Sequence, residues 1–277
     1  MDLHERQRIE IQLFLQALQL RHGYDFSGYA PASLGRRVRA LAETTQARSI
    51  SALTERVIHD DAFLTEVIGR LSVPVSEMFR NPPVFDLLRR EVLPLLASYP
   101  QINIWQAGCA RGEEAYSMAI LLKEAGLYAR SHIWATDISE SALAQARDGI
   151  YPLREARLYS NNYLQAGGTG SLSDWYTAAY QHIKLDESLA ERITFAHHNL
   201  AADGVFGEMH LILCRNVLIY FGDELQQRAL RLFRDSLVRG GFLCLGDRER
   251  PNDTRFTADF RPLASGASVF RRVDGRA

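Results

Sequence analysis

Apolar positions recur with helical spacing in the first quarter of the chain and as short, β-branched bursts in the rest. Between Leu3 and Leu20, Ile11, Phe14, Leu15 and Leu18 fall on one stripe, and the same spacing predicts helices over Ser33–Glu43, Ser51–His59 and Asp61–Arg70. Gly23 is placed to end the first of these. The pattern changes near Ser76. A linking helix over Val84–Ala97 leads into alternating elements. Strands are expected at Ile102–Trp105, in HIWATDI up to Ile138, and at Ile193–Ala196, Leu211–Cys214, Phe242–Gly246 and Ser268–Arg272. Helices are expected at Glu113–Lys123, Ser139–Arg147 and Asp223–Val238. Such alternation marks an α/β fold with a doubly wound sheet. We therefore expect a helical domain over residues 1–75 and an α/β domain over 76–277. The alternation breaks between about 151 and 190, where AGGTGSLSD (Ala166–Asp174) is either a flexible surface loop or part of an inserted subdomain.

The stretch from Ile102 to Ile138 carries the clearest chemistry: an apolar strand, a glycine turn, an amphipathic helix with Tyr116, Ile120 and Lys123 at helical spacing, and a second strand. In such a βαβ unit Gly108 and Gly112 let the backbone approach a ligand, and the acidic Asp137 after the second strand suits ribose hydroxyls. A phosphate-binding loop needs Lys and Ser or Thr after its last glycine, whereas Glu113 and Glu114 stand there. These acids agree with the helix dipole but oppose a pyrophosphate at the same positive end. A nucleoside without phosphates fits better. S-adenosylmethionine is one, and its ammonium and sulfonium charges favour acidic surroundings. Ordinary first-turn acids remain the plain alternative for Glu113 and Glu114, and Ser139 is better placed than Asp137 to cap the next helix.

At 277 residues and 47% hydrophobic content the chain can bury one good core and a small appended domain. Its net charge of -1 argues against broad nucleic-acid binding. Cys109, Cys214 and Cys244 are odd in number and widely spaced, the pattern of reduced core thiols and not of bridges or metal ligands. The first helix mixes charges throughout and no apolar run approaches a membrane span of ~18 residues, so a cytoplasmic location is expected.

Three further blocks bear on function: VSEMFRNPPVF (Val75–Phe85), LILCRNVLIYF (Leu211–Phe221) and VRGGFLCLGDRE (Val238–Glu249). Together with the Gly-Cys and Gly-Glu-Glu of the turn, they resemble the CheR-type chemoreceptor glutamate methyltransferases, in order and from about Gly23 to Arg272. The resemblance implies a class I methyltransferase sheet with a small all-helical N-terminal domain and a small inserted antiparallel β subdomain. It also implies S-adenosylmethionine as cofactor, held at Ser76, Arg80, Glu114, Asp137, Asn199, Leu200, Arg215 and Asn216, beside the Gly108 turn. The implied partner is the acidic helical bundle of a chemoreceptor or similar signalling protein, with no nucleic acid and no membrane insertion.

SLGRRVRALAE (Ser33–Glu43) places Leu34, Val38 and Leu41 on a core stripe and leaves Arg36, Arg37 and Arg39 toward solvent, the face that the resemblance turns to that acidic partner. Most charged helix faces are merely solvated, so the residues alone do not decide between the two. The expected reaction is methylation of a glutamate oxygen. With a pKa of about 4.3, the nucleophile needs no general base. Arg80, as the cation for a carboxylate, and Tyr220, as a hydrogen-bond donor near the methyl, are the expected catalytic residues. His197 and His198 alternate across a strand end and receive no role. One departure stands out: family members commonly carry Asn where this chain has Pro74, which offers neither a side-chain amide nor a backbone N–H. That change motivates a second reading, a cofactor-binding regulatory module without methyl transfer. A small-molecule methyltransferase is a third, and would need a closed lid in place of a docking face.

Overall fold

The computed structural model describes residues 3–249, 251, 254–264 and 266–273. It begins with four helices, α1 (Leu3–His22), α2 (Pro31–Thr44), α3 (Ile50–His59) and α4 (Asp61–Leu71). Gly23 ends α1 in the left-handed region (φ 79°), donating to Gln19 O at 2.9 Å. Side chains of Ser49 and Asp60 cap α3 and α4 by accepting backbone N–H groups. Phe14, Leu18, Val38, Leu41, Val57, Val67 and Leu71 close the core of this bundle.

One expectation for α2 fails. Arg36 and Arg39 are exposed, but Arg37 is buried. Helical spacing explains it, because position 37 lies between Leu34 and Leu41 on the inward face, beside Val38. Its guanidinium donates to Leu71 O and to Ser33 Oγ (2.9 Å), and stacks 4.5 Å over the ring of Tyr220 in the next domain.

After α4 the chain runs through α5 (Pro82–Leu87), a π turn (Leu88–Val92) and α6 (Leu93–Leu96). Pro94 has no N–H to continue the regular ladder, and the wider turn absorbs the break. Then follow β1 (Ile102–Ala107), α7 (Glu113–Glu124), β2 (Ser131–Asp137), α8 (Glu140–Asp148), β3 (Ile150–Pro152), α9 (Ala156–Gln165), β4 (Tyr176–Ala179) and β5 (His182–Leu185). The chain continues with β6 (Ile193–His197), β7 (Met209–Cys214), α10 (Asp223–Ser236), β8 (Leu237–Leu245), α11 (Thr254–Asp259), β9 (Phe260–Pro262) and β10 (Val269–Arg272). The large sheet has the order β6-β2-β1-β7-β8-β10-β9, parallel except where β10 meets β8 and β9. β1 and β7 are buried along almost their whole length, as expected for strands covered by helices on both faces.

β3, β5 and β4 form a separate antiparallel sheet, and α9 stands beside it. α9 lacks an obvious aliphatic stripe; its inward face is Tyr159 and Tyr163 with Asn162, whose amide donates to Met78 O at 3.0 Å. The AGGTGSLSD stretch is a built connection and not a loose loop. Gly168 N donates to Tyr163 O (3.0 Å), a Cβ on Gly168 would meet the Tyr163 ring at 2.4 Å, and Ser171 with Asp174 forms a capping box.

The helical domain is fastened to the sheet by paired backbone. Ala30 N donates to Tyr220 O (2.9 Å) and Gly222 N to Gly28 O (2.7 Å), around a bridge between Tyr29 and Phe221 whose rings lie 4.9 Å apart. On the other side, α4 packs against α8. Phe221→Ala removes the aromatic from this seam, where it is 5% exposed. The expected cost is about 3–5 kcal/mol, read as a lower midpoint in urea unfolding.

Candidate functional site

The sheet order reverses between β1 and β7, so their connections leave on opposite faces and open a crevice at the strands' carboxyl ends. A cleft of about 860 Å³, its open mouth included, lies there. The turn after β1 forms its floor, with Gly108 N and Cys109 N both donating to Thr136 O at 2.8 Å. Gly108 (φ 74°) and Gly112 (φ 88°) cannot be replaced without strain. A Cβ at Gly108 would come within 2.5 Å of Val217, and one at Gly112 within 2.8 Å of Ala146.

A buried ion pair sits at the base of the cleft. Arg215, just past β7, contacts Glu114 in the first turn of α7 at 2.5 Å, both side chains being almost fully buried. Gln106 Nε2 donates to the other Glu114 oxygen (2.9 Å), and Arg215 Nη2 donates to Arg80 O (2.8 Å). Burial is the largest influence on the Arg215 pKa and lowers it, but Glu114 together with Cys244 and Asp247 more than offsets it and holds the guanidinium above its ordinary range. Glu113 does not share this role: it is absent from the cleft wall, fully buried, and paired with Arg111 at 2.8 Å. The neighbouring acids of one helical turn point to different sides, so the expected double negative lining reduces to Asp137 and a neutralised Glu114.

Asp137 faces the cleft from the end of β2 while its oxygens accept from Ala110 N (2.8 Å) and Ser139 N (2.9 Å). Burial raises its pKa and these N–H groups oppose the rise. Ser139 caps α8 through Ala142 N (3.3 Å), as expected. Asn199 and Leu200 form part of the wall beyond β6, and Asn199 Oδ1 accepts from Ala201 N (3.0 Å).

Arg80 enters from the interdomain segment with Ser76 and Pro74. It is flanked by two non-glycine residues with positive φ, Phe79 (51°) and Asn81 (58°), a strained turn held by Phe79 N donating to Ser117 Oγ at 2.9 Å. Its guanidinium has no hydrogen-bond or ion-pair partner among the described residues, in contrast to that of Arg215. Tyr220 and Asn216 (φ 61°) face the cleft from the loop after β7. The cleft thus gathers Ser76, Arg80, Gly108, Glu114, Asp137, Asn199, Leu200, Arg215, Asn216 and Tyr220, whereas Arg36 and Arg39 lie outside it.

Among the polar wall residues, Tyr29, Gln106 and His198 had no expected role, and Arg37, expected on the solvent face toward an acidic partner, lies in the wall instead. Gln106 was detectable as a polar residue closing an apolar strand. Tyr29 had no local signal, because only domain packing brings it here; for Arg37 the helical spacing marked the inward face but not the cleft it reaches. His198 is packed edge-on against Trp105 and Phe206, and burial lowers its pKa.

The sheet order and the carboxylate at the end of β2 define a class I, S-adenosylmethionine-dependent methyltransferase. Comparison with known families agrees: residues 74–264 match the CheR methyltransferase SAM-binding domain and residues 9–72 the CheR all-alpha domain. The chain belongs to the CheR methyltransferase family, and its cofactor is S-adenosylmethionine. It is 46% identical to "Putative methyltransferase Cher3" of Pseudomonas putida, over 95% of this chain and 97% of that one. It is 29% identical to the chemotaxis protein methyltransferase of Listeria innocua, over 86% and 88% of the two chains. Among solved structures, magnesium protoporphyrin IX methyltransferase of Synechocystis PCC 6803 aligns at 13% identity and TM-score 0.41, over 86% of this chain and 97% of that one.

Arg215→Ala strands the Glu114 carboxylate in the interior, and should cost about 3–5 kcal/mol of unfolding free energy in denaturant titrations. Adding Glu114→Gln removes the stranded charge, so the double variant should be more stable than Arg215→Ala alone.

Proposed function

We propose that this protein transfers the methyl group of S-adenosylmethionine to glutamate side chains of chemoreceptors or chemoreceptor-like signalling proteins, forming methyl esters. The observation that carries the reading is Arg80: an arginine with no described partner, fixed by a strained turn in the wall of a cleft that also holds Asp137. The family membership and the chemotaxis name of the Listeria relative support it.

The donor set fits the cofactor. Asp137 offers an acceptor to ribose hydroxyls, Asn199 offers an amide, and the turn from Gly108 to Glu114 has no lysine to hold a triphosphate. When bound, the cofactor supplies an electrophilic methyl on a sulfonium centre. Everything else falls to the chain. A glutamate with pKa about 4.3 arrives ionised, so the protein need only position it and exclude water. Arg80 attracts and orients the carboxylate, Tyr220 presents its hydroxyl beside it, and Arg37 steadies the Tyr220 ring from beneath. Arg36 and Arg39 remain at the surface as the cationic face for an acidic helical partner.

Labelled S-adenosylmethionine and receptor cytoplasmic fragments should yield base-labile methyl esters. In Arg80→Ala, kcat/KM should fall about 10- to 150-fold, the loss of a hydrogen bond to a charged group. Asp137→Ala should weaken cofactor binding by a similar factor of about 10 to 150 in calorimetry. Tight cofactor binding with no ester on any receptor of the source cell would replace this reading by the regulatory module that Pro74, here part of the cleft wall, first raised.

A further inference from the structure

The tetrapeptide Gly246–Glu249 after β8 reaches two loops at once. Asp247 Oδ1 accepts from Asn81 Nδ2 at 2.5 Å, next to Arg80. Glu249 Oε2 accepts from Asn216 N (2.9 Å) and Gly246 N (2.6 Å), and its Oε1 from Ile219 N (3.3 Å), the residue before Tyr220. Neither carboxylate has an ion-pair partner among the described residues, and Glu249 is only 6% exposed. A buried anion without a cation is a costly way to build a mere turn. Its advantage is that a carboxylate is all acceptor, so it gathers several N–H groups from different segments, whereas a glutamine would turn its own N–H toward one of them. There is no slack around it: a Cβ on Gly246 would lie 2.7 Å from Glu249 Oε2 and 2.9 Å from Asn216 N.

We propose that Gly246–Glu249 is a positioning element for methyl transfer, with Asp247 setting the Arg80 turn and Glu249 setting the Asn216–Tyr220 loop across the cleft from it. This rests on the reading of Arg80 and Tyr220 as the groups that meet the acceptor. Arg215, at the root of the same loop, is held separately by Glu114 and Arg80 O, so losing Glu249 releases the part of the loop that carries Tyr220 while leaving the base of the cleft intact.

The test compares the full-length protein with Glu249→Gln, Gly246→Ala and Asp247→Asn. Glu249→Gln should speed amide exchange across residues 216–219, read by mass spectrometry, while exchange in β8 stays protected. It should lower kcat by about 100-fold, the scale of an ångström-level misplacement, with a much smaller change in cofactor affinity. Gly246→Ala, whose Cβ would crowd both the Glu249 carboxylate and Asn216 N while leaving the charge in place, should loosen the same loop and lower kcat in the same direction. Asp247→Asn should act on the Arg80 side, raising KM for the acceptor more than it lowers kcat. If Glu249→Gln does not fold, Gly246→Ala and Asp247→Asn carry the comparison. Wild-type exchange or wild-type kcat in folded Glu249→Gln and Gly246→Ala overturns the proposal. Absence of ester formation by the wild type overturns the functional reading instead, and the exchange data then decide on their own whether the turn holds the loop.

Discussion

A guanidinium and a carboxylate in contact beneath the crevice hold the site together. Arg215 and Glu114 come from the far end of β7 and the first turn of α7, and the same guanidinium grips the main chain at Arg80 while Gln106 takes the second carboxylate oxygen. Buried charges of this kind are tolerated only when each is met by partners of the right geometry. The strand register, the glycine turn and the interdomain segment must therefore all be in place together. Stability is not what such a pair mainly supplies; it fixes one arrangement of three segments that the sheet pairing of β1 with β7 and the Phe79–Ser117 hydrogen bond already bring near one another.

The helical domain is a wall of the cleft as much as an appendage. Its Arg37 and Tyr29 reach into the site, and its Gly28–Ala30 segment pairs backbone to backbone with the loop that carries Tyr220. A partner that presses on the exposed arginines of α2 presses on the same helix that braces Tyr220 from below. Under the proposed function, recognition and alignment would fall to one helix, which suits a nucleophile that arrives already charged and a barrier lowered by alignment and dryness more than by proton transfer.

The site also shows how one turn separates chemically equal residues. Glu113 and Glu114 are neighbours with the same side chain, yet one is sealed against Arg111 and the other lies under the cleft. Asp137 differs again, since backbone N–H groups hold its oxygens in place at the cleft wall. Each carboxylate takes its character from its surroundings.

Much of this was legible in the chain itself. Apolar period and glycine placement marked the helices, the strands and the βαβ unit, because those signals are local: Ile11 to Leu18 make a stripe whatever else is present, and Gly108 and Gly112 allow a turn that other residues resist. The long motifs carried the family and its cofactor. What the chain could not show was anything settled by approach across the fold. Arg37 looked like one of three surface cations until the seam with Tyr220 enclosed it, Glu113 and Glu114 were indistinguishable until α7 docked, and α9 hid because its buried face is made of tyrosines and an asparagine. Glu249 was only the last letter of a motif until β8 brought it under the Tyr220 loop. Period and turn chemistry depend on neighbours within a few residues, and so the sequence determines them; the burial of Arg37, Arg215 and Glu249 depends on partners more than thirty positions away, Leu71, Glu114 and Asn216, and so only the tertiary structure decides it.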